Sequence, residues 1–168
     1  MIPAVSLIGH HDSGKTQLIA DLLPILVARG LRVATVKNSP HIANLDTPGS
    51  DSARHFAAGA SRVLLRGEGV SALFWPHGDA SLVDEIDRLF TDVDLVLVEG
   101  GKLSPYPKIE IFRRGSDLNR EPLAGEIDVA AVITDDRVAL PDRLDVFATR
   151  ELEKIADFVE ALAFDQAQ

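Results

Sequence analysis

The sequence predicts an α/β fold: a mostly parallel sheet with helices on both faces, of the P-loop NTPase type, formed as a single domain over residues 1–168. Three observations carry that expectation. The apolar run Ala4-Val5-Ser6-Leu7-Ile8 passes through a glycine loop into an amphipathic stretch and then a second strand, which is a βαβ unit. The continuous apolar run 95–98 has the composition of a parallel strand buried on both faces, and Val129-Ala130-Ala131-Val132-Ile133 is a further strand of similar make. The glycine loop itself, Gly9-His10-His11-Asp12-Ser13-Gly14-Lys15-Thr16, has two glycines at the spacing of a phosphate-binding loop.

Composition bounds the possibilities. A chain of 168 residues with 46% apolar content can bury one good core. No apolar run approaches the roughly 20 residues of a membrane span. The N-terminus has no basic segment ahead of an apolar core, so no secretory leader is expected. The absence of cysteine excludes disulfides and thiolate metal sites, and a cytoplasmic location is the expectation. A net charge of −9 argues against an extended nucleic-acid surface, which needs clustered Lys and Arg.

The glycine loop states the chemistry. Backbone N–H groups of such a loop and of the following helix N-terminus converge on a diphosphate, aided by the helix dipole. Lys15 is placed to reach the terminal phosphates, and the Thr16 hydroxyl to ligate Mg²⁺. Nucleotide contacts are therefore expected from Gly9, His11, Asp12, Ser13, Gly14, Lys15, Thr16 and Gln17.

Along the chain, Leu18, Ile19, Leu22, Leu23, Leu26 and Val27 form a helical stripe from Lys15 to about Arg29, with Pro24 expected to kink it and Gly30 to cap it. The second strand is Leu31 to Lys37. Residues 38–50 are the most turn-rich segment, and a short helix from Asp51 to about Ala58 follows. Two short apolar runs, 62–65 and 71–75, precede an amphipathic helix from Asp79 to Phe90. The last helix runs from about Glu151 to Phe164. No repeat or interdomain linker is visible.

Glu99 closes its strand on the sheet edge that carries the glycine loop, a Walker-B-like position suited to holding Mg²⁺ directly or through water. Asp94, at the opposite edge, is read as structural. Lys37 ends a strand beside the phosphate site, where a second cation would neutralise the β- and γ-phosphates, so Lys15 and Lys37 are the catalytic candidates. Asp46 and Asp51 lie on the turn-rich segment and are candidates to complete the Mg²⁺ shell; for Asp51 the alternative is a helix cap. His10, His11, His41, His55 and His77 have no recognisable zinc spacing, so lining the loop or stacking on a ligand is preferred for His10 and His11. Asp135, at the end of the strand 129–133, is the candidate acceptor for guanine N1–H and its 2-amino group; an Asn-Lys-x-Asp signature is absent.

The ordered set of these motifs resembles one family. The loop, Lys37 with His41 beyond it, the segment 46–52, Ala58-Gly59-Ala60, Asp94 to Lys102, Tyr106-Pro107-Lys108-Ile109-Glu110 and Ala131 to Asp135 look like the MobB family of molybdopterin-guanine dinucleotide biosynthesis adaptor proteins. The resemblance spans roughly residues 3–160. It implies GTP and Mg²⁺ as ligands, weak GTPase activity, a guanylyltransferase partner that joins GMP to molybdopterin, molybdopterin itself as a further candidate ligand, and a homodimer. Three positions depart from the family pattern: Asn38 replaces a histidine, Gln17 a threonine, and Gly101 an aromatic residue. The competing class is a stand-alone ATP-dependent P-loop enzyme acting on a small acid, similar to dethiobiotin synthetase, which shares a lysine after the second strand and Glu-Gly after the Walker-B strand. A non-hydrolysing regulatory nucleotide binder is the plainest alternative.

Overall fold

The computed structural model describes residues 1–39, 46–76, 78–115 and 119–165. The chain forms two compact units, Met1–Asn38 with Leu82–Gln168, and Ser39–Ser81 inserted between them in sequence.

The larger unit opens with β1 (Ala4–Ile8), α1 (Lys15–Ala28) and β2 (Val33–Asn38). The inserted unit carries α2 (Asp51–Ala57), β3 (Val63–Arg66) and β4 (Ser71–Phe74). The larger unit resumes with α3 (Leu82–Leu89), β5 (Leu95–Gly100), β6 (Lys108–Ile111), β7 (Ala131–Ile133), β8 (Asp145–Phe147) and α4 (Leu152–Asp165). Its sheet has the order β2-β5-β1-β6-β7-β8, and every pairing is parallel. Parallel strands all end on one edge, so β1, β2, β5, β6 and β7 deliver their C-terminal residues together.

Alternation along the strands covers both faces. Val5, Leu7, Leu95, Leu97, Ile109, Ile111, Ala131 and Ile133 pack with α1 and α4. Their neighbours turn the other way: Ala4, Val96 and Val98 pack with Ile86 of α3 and with Tyr106, while Ile8 and Val132 pack with Phe112, Ala124 and Val129. β1 and the apolar part of β5 are wholly buried, as the continuous apolar run requires.

The α/β expectation holds, with corrections at the boundaries. Helix α1 runs through Pro24, and Gly30 follows it at φ 90, with its N–H on the Val27 carbonyl. Helix α3 starts three residues after the position that the apolar pattern indicates. The strands β6 and β8 have no counterpart in the sequence-based element assignment. In the inserted unit, the runs 62–65 and 71–75 pair antiparallel as a separate two-stranded sheet, closed by a turn in which Gly67 N–H meets the Val70 carbonyl at 2.8 Å. Among the described residues no helix is long and apolar enough to cross a membrane.

Candidate phosphate-binding site

The glycine loop leaves β1 at Ile8 and enters α1 at Lys15. At Gly9, φ 152, a Cβ would stand 2.3 Å from the Ile111 carbonyl oxygen and 2.6 Å from Ser13 Oγ, so only glycine fits. Gly14, at φ 98, has open space but a left-handed backbone, and it contributes no side-chain cap to α1. The first-turn N–H groups of such a helix suit an anion. Lys15 folds over the loop, its Nζ donating to the carbonyls of Gly9 at 3.3 Å and His10 at 2.5 Å, with Ser13 Oγ at 3.4 Å. Burial holds its pKa below the ordinary lysine value; Glu99 opposes that, and the like charges of Lys102 and Lys37 add to it.

Glu99 is the meeting point of three strands' worth of chemistry. The register sets it opposite Lys37 on β2 and Leu7 on β1. Both carboxylate oxygens accept from Thr16 Oγ1 at 3.0 Å, and Oε1 lies 3.1 Å from Lys37 Nζ. A hydroxyl and a carboxylate side by side are the hard oxygen donors that Mg²⁺ takes alongside phosphate and water. The pair Thr16 and Glu99 therefore fits that ion. Gly100 follows at φ 94, where a Cβ would stand 2.6 Å from the Asn38 carbonyl oxygen. The departure at Gly101 has a local basis, because φ 73 is a strained torsion for a side chain and a Cβ would meet Ser6 Oγ and Val98 Cγ1 at 3.3 Å.

Other expected residues have partners of their own. The Gln17 amide donates to Asp21 at 2.8 Å along α1. His11 pairs with Asp12 at 2.7 Å, both side chains exposed. The Asp135 carboxylate accepts the Thr149 N–H at 3.1 Å and the Thr149 hydroxyl, bonds that hold its pKa below the usual carboxylate range. Asp46 and Asp51 belong to the inserted unit. Hydrogen bonds from Ser52, from the backbone N–H of Thr47 and from Ser50 lower the Asp46 pKa. Asp51 is the first residue of α2, and the cap is Ser50, whose Oγ accepts from Ala53 N–H at 3.1 Å. The capping role read for Asp51 is thus corrected to Ser50. Ser is as good a cap as Asp and sits one residue earlier, outside the helix. His41 and His77 lie outside the described residues.

Sequence reasoning missed the contacts on the loop's outer side. His10 Nε2 lies 2.9 Å from the Glu121 carbonyl oxygen, and Arg120 Nη1 donates to the His11 carbonyl at 3.5 Å. Behind them the buried Glu110 accepts two backbone N–H groups. The one signal for this in the sequence is an acid set in the alternation Lys108-Ile109-Glu110-Ile111.

An all-parallel sheet with this loop between β1 and the first helix, an acid near the end of the adjacent β5 and a lysine near the end of β2 beyond it, defines a P-loop NTPase-type fold. A family model described as molybdopterin guanine dinucleotide synthesis protein B matches residues 4–135. The chain is 39% identical to the molybdopterin-guanine dinucleotide biosynthesis adapter protein of Haemophilus influenzae, over 95% of this chain and 88% of that one. It is 34% identical to the protein of that description from Escherichia coli, over 95% of this chain and 92% of that one. A crystal structure of molybdopterin-guanine biosynthesis protein B superposes with a TM-score of 0.74 at 29% identity, covering 95% of this chain and 99% of that one. The chain belongs to the MobB family.

Proposed function

We propose that this chain is a GTP-binding adaptor with weak, Mg²⁺-dependent GTPase activity. In molybdenum cofactor biosynthesis it assists a guanylyltransferase in converting molybdopterin to molybdopterin guanine dinucleotide. The observation that carries this reading is the convergence of Thr16, Glu99 and Lys37 beside the glycine loop. Lys15 and the loop's N–H groups hold the phosphates, Thr16 and Glu99 hold Mg²⁺, and Lys37 turns from Glu99 to the phosphate charge. Mg²⁺ supplies neutralisation of the phosphate oxygens; the chain's own groups fix their direction. Glu99 is taken up by Thr16 as well as by the ion it would hold, so it is not itself a free base for water, in keeping with slow hydrolysis.

Asp135 supports guanine selection, since its bonds to Thr149 orient a carboxylate at the sheet edge. The description of the relatives as adapter proteins supports a partner enzyme in that pathway. A homodimer is supported by the hairpin of the inserted unit, where Leu64 is 58% and Val70 73% exposed.

Calorimetric titration with GTP and ATP, each with Mg²⁺, tests the reading, with Lys15→Ala as control. GTP binding that is lost in Lys15→Ala and much weaker for ATP is the expected result. A preference for ATP overturns the guanine assignment and favours a small-acid enzyme. In a reconstituted conversion of molybdopterin, adding the chain with GTP is expected to raise the dinucleotide yield, and Lys15→Ala not to.

A further inference from the structure

Glu110 is an acid with no exposure in the middle of a parallel sheet. Register sets it between Ile8 of β1 and Val132 of β7, both fully buried. Such a group is costly unless its oxygens are bonded. Oε1 accepts the Leu123 N–H at 2.7 Å and Oε2 the Ala124 N–H at 2.8 Å. These N–H groups open the short 3₁₀ turn Leu123–Gly125, and Ala124 packs in the cluster that holds Ile8 and Phe112.

Just before that turn the chain touches the glycine loop twice. The Glu121 carbonyl oxygen meets His10 Nε2 at 2.9 Å, and Arg120 Nη1 donates to the His11 carbonyl at 3.5 Å and to the Arg113 carbonyl at 3.4 Å. The His10 ring stands edge-on to Phe112, with centroids 6.4 Å apart. With Lys15 on the carbonyls of Gly9 and His10, three successive loop carbonyls are each held by a cationic donor. In a planar trans peptide the N–H points opposite to its carbonyl, so fixing these oxygens fixes the direction of the following N–H groups. The next residue, Asp12, sits at φ 58. A non-glycine residue keeps that torsion only where its surroundings hold it.

The geometry points to residues 120–124 as a brace for the phosphate loop, with Glu110 fixing the brace and Arg120 holding the loop carbonyls. Glu110 and Arg120 are thus positioning residues for phosphate binding, acting from behind the loop. This inference rests on the nucleotide-binding reading above.

The test is calorimetric titration of the full chain with GTP and Mg²⁺, with thermal melting as the check on folding. Arg120→Ala weakens binding about 5-fold, the effect of one lost hydrogen bond to a positioned group, while Arg120→Lys keeps most of the affinity. Glu110→Gln, which puts an NH₂ where one N–H acceptor is needed, weakens binding about 10-fold. Adding Arg120→Ala to Glu110→Gln costs little more, because the brace is already released. Arg32→Ala, at the other edge of the sheet, binds as wild type.

Wild-type affinity in a folded Arg120→Ala overturns the brace, as do equal losses in both Arg120 variants or independent, multiplying losses in the double variant. Where Glu110→Gln does not fold, the two Arg120 variants decide alone. A wild-type chain that binds neither GTP nor ATP defeats the nucleotide reading and the brace with it. Binding that is lost in Lys15→Ala but intact in Arg120→Ala defeats the brace alone.

Discussion

Strands β2 and β5 carry a basic–acidic pair at each end, and the two pairs are built differently. At the N-terminal edge, the Arg32 guanidinium takes both oxygens of Asp94, at 2.8 and 3.0 Å, while the Arg32 N–H donates to Asp94 at 2.8 Å and the Asp94 N–H returns a bond to the Arg32 carbonyl. At the C-terminal edge, Lys37 reaches one oxygen of Glu99 at 3.1 Å, and a single Thr16 hydroxyl is shared between both oxygens. A forked guanidinium saturates its carboxylate, whereas a single ammonium leaves the acid open to exchange its partner for an ion. The first pair ties two strands; the second is the one that the proposed function sets beside the ligand. Arginine against lysine is the difference that matters.

Substitutions sharpen that contrast. Leu97→Ala, in the shared strand midway between the pairs and wholly buried, costs about 3 kcal/mol of stability in urea unfolding without favouring either end. Glu99→Ala weakens Mg²⁺-supported GTP binding about 10-fold, measured by calorimetry, and leaves metal-free binding little changed. Lys37→Ala weakens GTP binding about 3-fold, by fluorescence competition, since its charge is exposed and screened. Asp94→Asn leaves GTP binding as it is and lowers stability at neutral pH, a loss that fades in acid.

The sign of that last effect follows from the carboxyl's pKa. The Arg32 guanidinium, with the Arg32 N–H, holds it down to about 2, from an ordinary 3.8. A carboxyl depressed in the folded state stabilises the fold above its unfolded pKa, and that contribution is lost as pH falls through the folded value. The melting-temperature gap between wild type and Asp94→Asn is therefore full above about pH 4 and closes toward pH 2.

The glycine loop was legible because its spacing and its strand–helix context coincide in one stretch of sequence. Strand β5 was legible because a strand buried on both faces is apolar at every position but the last two. Strand β6 was not: Lys-Ile-Glu-Ile alternates like a half-exposed strand, yet Glu110 is as buried as its neighbours, its cost offset by two N–H groups 13 and 14 residues on. Strand β8 is an edge strand of three residues, too short to show a period. Glu99 and Lys37 were each placed on the loop's edge from strand ends, since parallel strands share an edge, whereas their ion pair appears only in the structure. The Arg120 and Glu121 contacts were out of reach because they run through backbone carbonyls, which carry no sequence signature. The cap of α2 was misplaced by one residue, as Ser50 and Asp51 are both good caps and only the torsions choose between them.

The most direct test of the contrast between the two pairs is a titration of wild type, Glu99→Gln and Asp94→Asn with GTP, with and without Mg²⁺. Glu99→Gln is expected to lose the gain in affinity that Mg²⁺ gives the wild type, and Asp94→Asn to keep it in full. The same Mg²⁺ gain in all three chains, or its loss in Asp94→Asn, would contradict the account.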